Sequence, residues 1–166
     1  MKPGGVLVDL DLQVLKGKRL FKVHKKIIYA IEAVVDIALN SGPNPIQNES
    51  IAKRQGIPKR YLEQTLQILV KNKILVGSRG PKGGYSLAKE RRRIKLADII
   101  KSVSNEDNLI NTFNSELSKK IVLPLIKDIS FKCLEKFNNI SIEEVCRIAK
   151  TKKLKKDFSK KVDFVI

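Results

Sequence analysis

The stretch 51–87, IAKRQGIPKRYLEQTLQILVKNKILVGSRGPKGGYSL, constrains the fold more than any other part of the chain. It begins with a short helical segment that ends at Gly56, whose freedom at positive φ suits a sharp turn. Three leucines then recur at helical spacing and predict a second helix over Tyr61–Lys71, with basic and amide side chains on its opposite face. The apolar face of this helix consists of Leu62, Leu66 and Leu69.

A short hairpin is predicted after this helix. Ile74–Val76 is an aliphatic run, Arg79–Gly84 has the composition of a turn, and Tyr85–Leu87 alternates again. The order of helix, tight turn, helix and basic hairpin is typical of a winged helix-turn-helix. The sequence therefore predicts a fold that is mainly α with a small β-hairpin, extended by a long C-terminal dimerisation helix.

The rest of the chain divides into segments around this motif. For the first 20 residues two interpretations stay open, a flexible arm or a segment outside the native protein, with translation starting near Leu20. The predicted divisions are 1–20 as an N-terminal extension, 21–103 as the winged helix-turn-helix domain, 104–118 as a loop, 119–150 as dimerisation helices and 151–166 as a basic tail.

Helical periodicity predicts a first helix over His24–Asn40, and Asn48 is expected to cap the helix that follows. His24 stands among lysines and is interpreted as a solvated surface residue, with a metal-binding or proton-switch role as the alternative. Near the C-terminus, Ser141 followed three residues later by Glu144 predicts a capping box that opens the last helix.

The longest helical pattern covers Lys119–Phe137, with Pro124 in its first turn or at a kink. This helix is too apolar for the small domain behind it to bury both of its flanks, so a symmetric homodimer is expected. The predicted dimerisation residues are Val122, Ile126, Ile129, Cys133 and Phe137.

The chain carries a net charge of +17 and a pI near 10.0, which favours a polyanionic partner. Nucleic acid is the first choice. A membrane partner is disfavoured, because no run of about 18 apolar residues is present. The chain shows no N-terminal signal sequence, so a cytoplasmic location is expected. It also shows no His/carboxylate pair, phosphate-binding loop or metal-ligand spacing, so we expect no enzyme.

Four segments go beyond a generic fold: YAIEAVVDIAL (29–39), the stretch 51–89, IKLADIIKSV (94–103) and ISIEEV (140–145). Together they resemble the bacterial family of winged-helix transcription regulators of the IscR, NsrR and CymR type. The most specific pieces are RYLEQ (60–64) and the wing RGPKGGY (79–85). The resemblance implies a homodimer that crosses through a long C-terminal helix and binds palindromic promoter DNA.

Two departures from the family pattern matter. Members with an iron–sulfur cluster carry three closely spaced cysteines before the long helix, whereas 105–118 has none here. Cys133 and Cys146 cannot supply the three or four ligands that a cluster needs, so no cofactor or metal is expected. We interpret both as small core residues, with a redox switch as the alternative. Pro58 stands where relatives often have a hydroxyl N-cap.

The predicted contacts to double-stranded DNA divide by type. Arg60, Glu63 and Gln64 are expected to read base edges in the major groove. Arg79 and Lys82 are expected to reach the minor groove or flanking phosphates, with glycines letting the backbone approach the duplex. Any single lysine of the set could instead be a solvated residue, and Tyr61 a half-buried packing residue. The full set is Lys53, Arg54, Lys59, Arg60, Tyr61, Glu63, Gln64, Lys71, Arg79, Gly80, Lys82, Gly83 and Gly84.

The leading hypothesis is thus a sequence-specific, homodimeric transcription regulator without an iron–sulfur cluster. The alternative is a basic protein that binds RNA or ribosomes without reading sequence, since a charge of +17 suits any polyanion.

Overall fold

The computed structural model describes residues 23–104 and 113–152, and within these ranges it forms six α-helices and one two-stranded antiparallel sheet. The predicted extension 1–20, residues 105–112 of the predicted loop and the tail beyond residue 152 lie outside the described residues. The helices are α1 Lys25–Asn40, α2 Asn48–Gln55, α3 Lys59–Lys71, α4 Leu96–Val103, α5 Leu123–Asn138 and α6 Ile142–Thr151, and the strands are β1 Leu75–Ser78 and β2 Gly84–Leu87.

Helix α1 lies at the centre of the domain and contacts α2, α3, α4, α6 and β2. One side of it consists of small and branched apolar residues that are fully buried, which lets the other helices approach closely. The predicted order of helix, turn, helix and hairpin is confirmed, and with it the mainly α fold class. The fully buried residues of α1 are Ala30, Ala33, Val34, Ile37 and Ala38.

The start of α2 differs from the prediction. Gln47, not Asn48, is the N-cap residue, and its side chain makes no capping hydrogen bond. The Asn48 amide instead reaches the backbone oxygen of Lys59 at 3.5 Å, at the start of α3. Asn48 therefore connects the two helices of the motif, because its side chain is turned towards α3 and away from the end of its own helix.

Helix α3 starts after Pro58 without a side-chain cap, as the sequence predicted, and ends in a Schellman motif. The Lys73 N–H donates to the Val70 oxygen at 3.0 Å, and the Ile74 N–H donates to the Leu69 oxygen at 3.0 Å. This motif requires one residue with a left-handed backbone conformation, and Lys73 occupies that position with φ 57°. The buried Ile74 and Leu69 supply the apolar contact that accompanies such an ending.

The C-terminal part of the chain returns to the winged domain. The Leu96 N–H donates to the Ile140 oxygen at 3.0 Å, and the Ile142 N–H donates to the Ile94 oxygen at 2.9 Å. Helix α6 begins at the predicted N-cap, where the Ser141 hydroxyl accepts from the Glu144 N–H at 3.2 Å; this is one of the two hydrogen bonds of the predicted capping box. Ile142 and Cys146 belong to the same core as α1 and α3. The predicted unit 119–150 therefore contains one helix that packs into the domain, α6, and one that is largely exposed, α5.

The long helix is largely exposed. Its helical backbone runs from Glu116 to Asn138 and includes a π-helical turn over Ser118–Val122. Pro124 lies two residues after the end of this turn, and a proline cannot donate the α-helical hydrogen bond to residue 120. Leu123 is buried against the domain, whereas most other side chains of α5 face outwards. No helix in the described ranges is both long and apolar enough to cross a bilayer.

The two cysteines differ in burial. Cys146 lies in the core of the domain, but Cys133 is exposed on α5. The interpretation of Cys133 as a core residue is therefore wrong for a single subunit, because helical periodicity identifies an apolar face without saying which surface covers it.

Candidate nucleic-acid interface

The turn between α2 and α3 orients the second helix. Gly56 lies in the left-handed region at φ 66° and its N–H donates to the Ala52 oxygen, which ends α2 and reverses the chain. The predicted leucine stripe of α3 is fully buried, which fixes the helix on α1 and turns its polar side outwards.

The exposed side of α3 carries most of the side chains that the sequence predicted for DNA. Positions 60, 64, 67 and 71 are three or four residues apart and lie along one face of the helix. Lys59 also makes a long, exposed ion pair of 3.6 Å with Glu49, which holds its ammonium group only weakly. The exposed residues of the predicted set on α2 and α3 are Lys53, Lys59, Arg60, Tyr61, Glu63, Gln64 and Lys71.

Arg54 does not fit its predicted role as a phosphate contact. Its Nε donates to Asp36 Oδ1 at 2.9 Å and a terminal nitrogen donates to Oδ2 at 2.6 Å, while Gln55 Nε2 donates to Oδ1 at 2.7 Å. The Asp36 side chain is 2% exposed and that of Arg54 is 19% exposed. The guanidinium group therefore neutralises a buried carboxylate of α1 and fixes α2 against it.

Tyr61 combines packing with exposure. Its ring meets that of Tyr29 on α1 edge to face, with centroids 5.6 Å apart and planes at 79°. The residue is 37% exposed, so one edge remains available at the surface. The half-buried packing role that the sequence left open is therefore present, beside an accessible edge.

Ile46, in the loop before α2, pairs with the two-stranded hairpin of the wing. Gly77 pairs with Tyr85 across the hairpin, and Ile46 pairs with Tyr85 on the other side of β2. Ile46 and Tyr85 exchange both backbone hydrogen bonds at 2.8 Å. The loop before α2 and the wing are thus joined, a link that sequence spacing alone did not indicate.

The backbone conformation and packing of the hairpin explain the glycines of the wing. Gly80 adopts φ 102°, which L side chains rarely adopt. A Cβ on Gly83 would lie 2.8 Å from the Gly80 oxygen, and a Cβ on Gly84 would lie 2.6 Å from the Ile46 carbonyl carbon. The sequence alone assigns these glycines to the close approach of the duplex, but the fold of the hairpin itself already requires all three.

A cleft of about 670 Å³ separates α3 from the wing. Of the predicted residues, Lys59, Arg79, Gly83 and Gly84 line it, while Lys82 lines a neighbouring cleft beside Arg54. Arg60, Glu63 and Gln64 do not line the cleft and lie on the exposed surface of α3. The cleft residues that sequence analysis left out of the predicted set include Gln47, Asn48, Gln67, Ser78 and Tyr85.

Two of these additional residues are connected to the wing. Gln47 Nε2 donates to the Pro81 oxygen at 3.3 Å, which joins the start of α2 to the wing turn. Burial raises the pKa of the Tyr85 phenol, and the negative charge of Glu63 raises that pKa further. Glu63 thus acts electrostatically on the wing. Tyr85 belongs to the specific motif RGPKGGY, which could have identified it.

The predicted dimerisation residues form an exposed apolar surface on α5 and the turn before it. Ile129 is 46% exposed, and Leu125, which was not in the predicted set but lies on the same side of the helix, is 59% exposed. Such a continuous apolar surface is unusual on a monomer. The exposed predicted residues are Val122, Ile126, Ile129, Cys133 and Phe137.

Comparison with known proteins agrees with this geometry. Residues 23–147 match the Rrf2 family model, described as "Iron-dependent Transcriptional regulator". The HTH-type transcriptional regulator IscR of Sodalis glossinidius is 32% identical over 121 residues, which cover 70% of this chain and 73% of that protein.

Solved structures show the same likeness. T. potens IscR has a TM-score of 0.63 at 31% identity, covering 82% of this chain and 93% of that one. CymR, the global cysteine regulator of B. subtilis, has a TM-score of 0.58 at 25% identity, covering 78% and 98%. With its winged helix-turn-helix and a family match over most of its length, the chain belongs to the Rrf2 family of DNA-binding transcription regulators.

Proposed function

We propose that this regulator acts as a homodimer on palindromic promoter sites and that it does so without a thiolate-held iron–sulfur cluster. The observation that supports it best is the arrangement of α3 and the wing on two sides of one cleft, with Lys59 and Gln67 on the α3 side and Arg79 on the wing side. A helix and a basic hairpin placed in this way can contact adjacent parts of one duplex.

In this proposal the exposed side chains of α3 read the bases. Gln64 can make paired hydrogen bonds with an adenine edge and Arg60 with a guanine edge or a phosphate. Glu63 can accept from a cytosine amino group while its charge disfavours misplaced phosphates. Lys53, Lys59 and Lys71 are the proposed phosphate contacts on the exposed surface.

The wing supplies the second set of contacts. Arg79 and Lys82 are exposed on or beside the turn, where they can enter the minor groove or meet flanking phosphates. Arg54 is removed from the proposed contact set, because its guanidinium group is engaged with Asp36.

The dimer is supported by the apolar surface on α5. Burial of apolar area contributes roughly 25 cal/mol for each Å². Pairing two copies of this helix through the same surface would bury it symmetrically and would set two reading helices at a fixed spacing, as a palindrome requires. A chromosomal target also makes the cytoplasm the proposed location.

The donors in the chain do not fit an iron–sulfur cluster, although the family description names iron. Such clusters need about four thiolate or histidine ligands. The chain has two cysteines and one histidine, and no three His, Cys, Asp or Glu side chains converge in the described ranges. Burial raises the pKa of the Cys146 thiol, which disfavours the thiolate that binds metal. We therefore propose regulation without such a cluster.

Selection from a random pool of duplexes tests the proposal. We expect a palindromic motif, and we expect Gln64→Ala to relax the preference at one position in each half-site while leaving the spacing unchanged. Recovery of no motif, with equal affinity for single-stranded RNA, would support the alternative of a non-specific nucleic-acid-binding protein.

The cluster part of the proposal has a separate test. Protein purified under anaerobic conditions is expected to contain no stoichiometric iron and to lack visible absorption. A coloured protein with two or more iron atoms per subunit would contradict it, whatever the outcome of the DNA selection.

A further inference from the structure

We propose that a basic cleft at the base of the hairpin binds a small, multiply charged anion of the phosphate class. The cleft has a volume of about 190 Å³ and lies where the end of α3, the hairpin ends and α4 meet. The residues that define it are Lys73, Lys89, Arg93 and Lys101, together with Asp98 and Ser102. This site goes beyond the proposed DNA-reading function, and its ligand binding can be measured without DNA.

The charge of the basic cleft is strongly unbalanced. Four cationic side chains line it, and within the described ranges none of them has a carboxylate within ion-pair distance. Asp98 is the acidic residue of the lining, and its Oδ2 accepts from the backbone N–H of Lys95 at 3.0 Å, which caps α4. Bringing so many like charges together costs free energy that a bound anion would offset.

Lys73 provides a second, independent observation. It occupies the left-handed position that ends α3, where glycine is usual because other residues are strained there. The same chain places Gly56 at the left-handed position after α2. A lysine at position 73 is therefore retained at a conformational cost, and this lysine lines the basic cleft.

The helix dipole explains only part of this arrangement. Cations are favourable at helix C-termini, which accounts for Lys73 after α3 and Lys101 in the last turn of α4. Lys89 follows β2 and Arg93 ends a 3₁₀ turn, so neither serves the C-terminus of an α-helix. The cleft is also smaller than the roughly 300–1,000 Å³ of typical small-molecule pockets, so it fits one anionic group better than a whole nucleotide.

The basic cleft is separate from the proposed DNA surface. It lies at the strand ends opposite the wing turn, and the two clefts share no lining residue. Lys59 and Lys73 lie at opposite ends of α3, which spans about 20 Å at 1.5 Å per residue. A bound anion would connect the end of α3 to α4, the helix that packs against α5.

Isothermal titration of the full chain with inorganic phosphate and with pyrophosphate, in a phosphate-free buffer at constant ionic strength, tests the proposal. We expect saturable binding, tighter for pyrophosphate. Lys73→Gly should weaken it about tenfold, as the loss of one charge-assisted hydrogen bond implies. Because glycine is unstrained at this position, the variant should melt at or above the wild-type temperature, which separates lost binding from lost folding.

The double variant Arg93→Gln/Lys101→Gln should weaken binding further, whereas Lys25→Gln/Lys152→Gln, which removes two exposed charges elsewhere, should not. The proposal is overturned if titration of the wild-type protein with phosphate or pyrophosphate gives no more binding than titration with chloride at the same concentration. It is overturned equally if the control variant Lys25→Gln/Lys152→Gln weakens binding as much as Arg93→Gln/Lys101→Gln does. It is also overturned if Lys73→Gly reduces duplex affinity as much as Arg79→Ala, since the cleft would then be a DNA contact. A failure to find any operator would leave the anion titration unchanged.

Discussion

The ion pair between Arg54 and Asp36 joins two helices whose paired residues are 18 positions apart in sequence. Its carboxylate is buried, and the nearby Gln55 donates to the same carboxylate. The pair thus fixes α2, the first helix of the reading motif, against α1.

We expect Arg54→Ala to lower the free energy of unfolding by about 2–3 kcal/mol, because Asp36 would retain Gln55 as its hydrogen-bond donor without a balancing charge. Urea denaturation measures this. The matched control is Lys53→Ala, which removes an exposed charge next to it and should leave stability within about 0.5 kcal/mol of wild type. Equal stability of the two variants would contradict the structural role of Arg54.

Gly84→Ala should destabilise the wing by about 1–3 kcal/mol, because the added methyl group would lie 2.6 Å from the Ile46 carbonyl carbon and force β2 away from it. Hydrogen exchange of the Ile46 and Tyr85 amides reports this separation directly. Gly42→Ala is the control, since a Cβ there meets nothing within 4 Å. Unchanged protection in Gly84→Ala would show that the close approach is relieved elsewhere.

The sequence predicted residues whose role depends on local spacing and missed those whose role depends on distant partners. Leu62, Leu66 and Leu69 repeat within one helix, so their burial was predictable. Arg54 looked like a phosphate contact because its partner Asp36 belongs to another helix. Gly84 looked like room for DNA because Ile46, which it approaches, lies on a separate loop.

At the scale of elements, α3 and the wing were predicted with boundaries close to those observed, because each has its own periodic or turn pattern. These local sequence patterns could not predict how α3 and the wing are arranged relative to each other. The pairing of Ile46 with Tyr85 and the cleft between Lys59 and Arg79 arise from tertiary packing.

Arg79→Ala should weaken binding to a selected operator and reduce the slope of log K against log salt concentration by about one unit per subunit, because one phosphate contact fewer releases fewer counterions. A salt series of gel shifts or anisotropy titrations measures the slope. Lys127→Ala, which removes an exposed charge on α5, should leave the slope unchanged. An unaltered slope for Arg79→Ala would remove the wing from the contact set.

At the scale of the whole molecule, the exposed apolar surface of α5 contrasts with the closed core around α1. The core includes α6, so the chain leaves the domain along α5 and returns to it. This path leaves the apolar side of α5 uncovered in a single subunit.

Ile129→Glu should therefore convert dimers to monomers, because a charge would be buried in the apolar contact between two α5 helices. Sedimentation velocity measures the change. Lys127→Glu lies on the opposite side of the same helix and should leave the dimer intact. A persistent Ile129→Glu dimer would place the subunit contact elsewhere.

The paired hydrogen bonds between Ile46 and Tyr85 have a consequence for binding thermodynamics. They make the loop before α2 an additional edge of the wing sheet, so the hairpin and the start of the reading motif are preorganised as one surface. Less conformational entropy is then lost when the protein closes on its target, and a larger share of the contact energy remains as affinity.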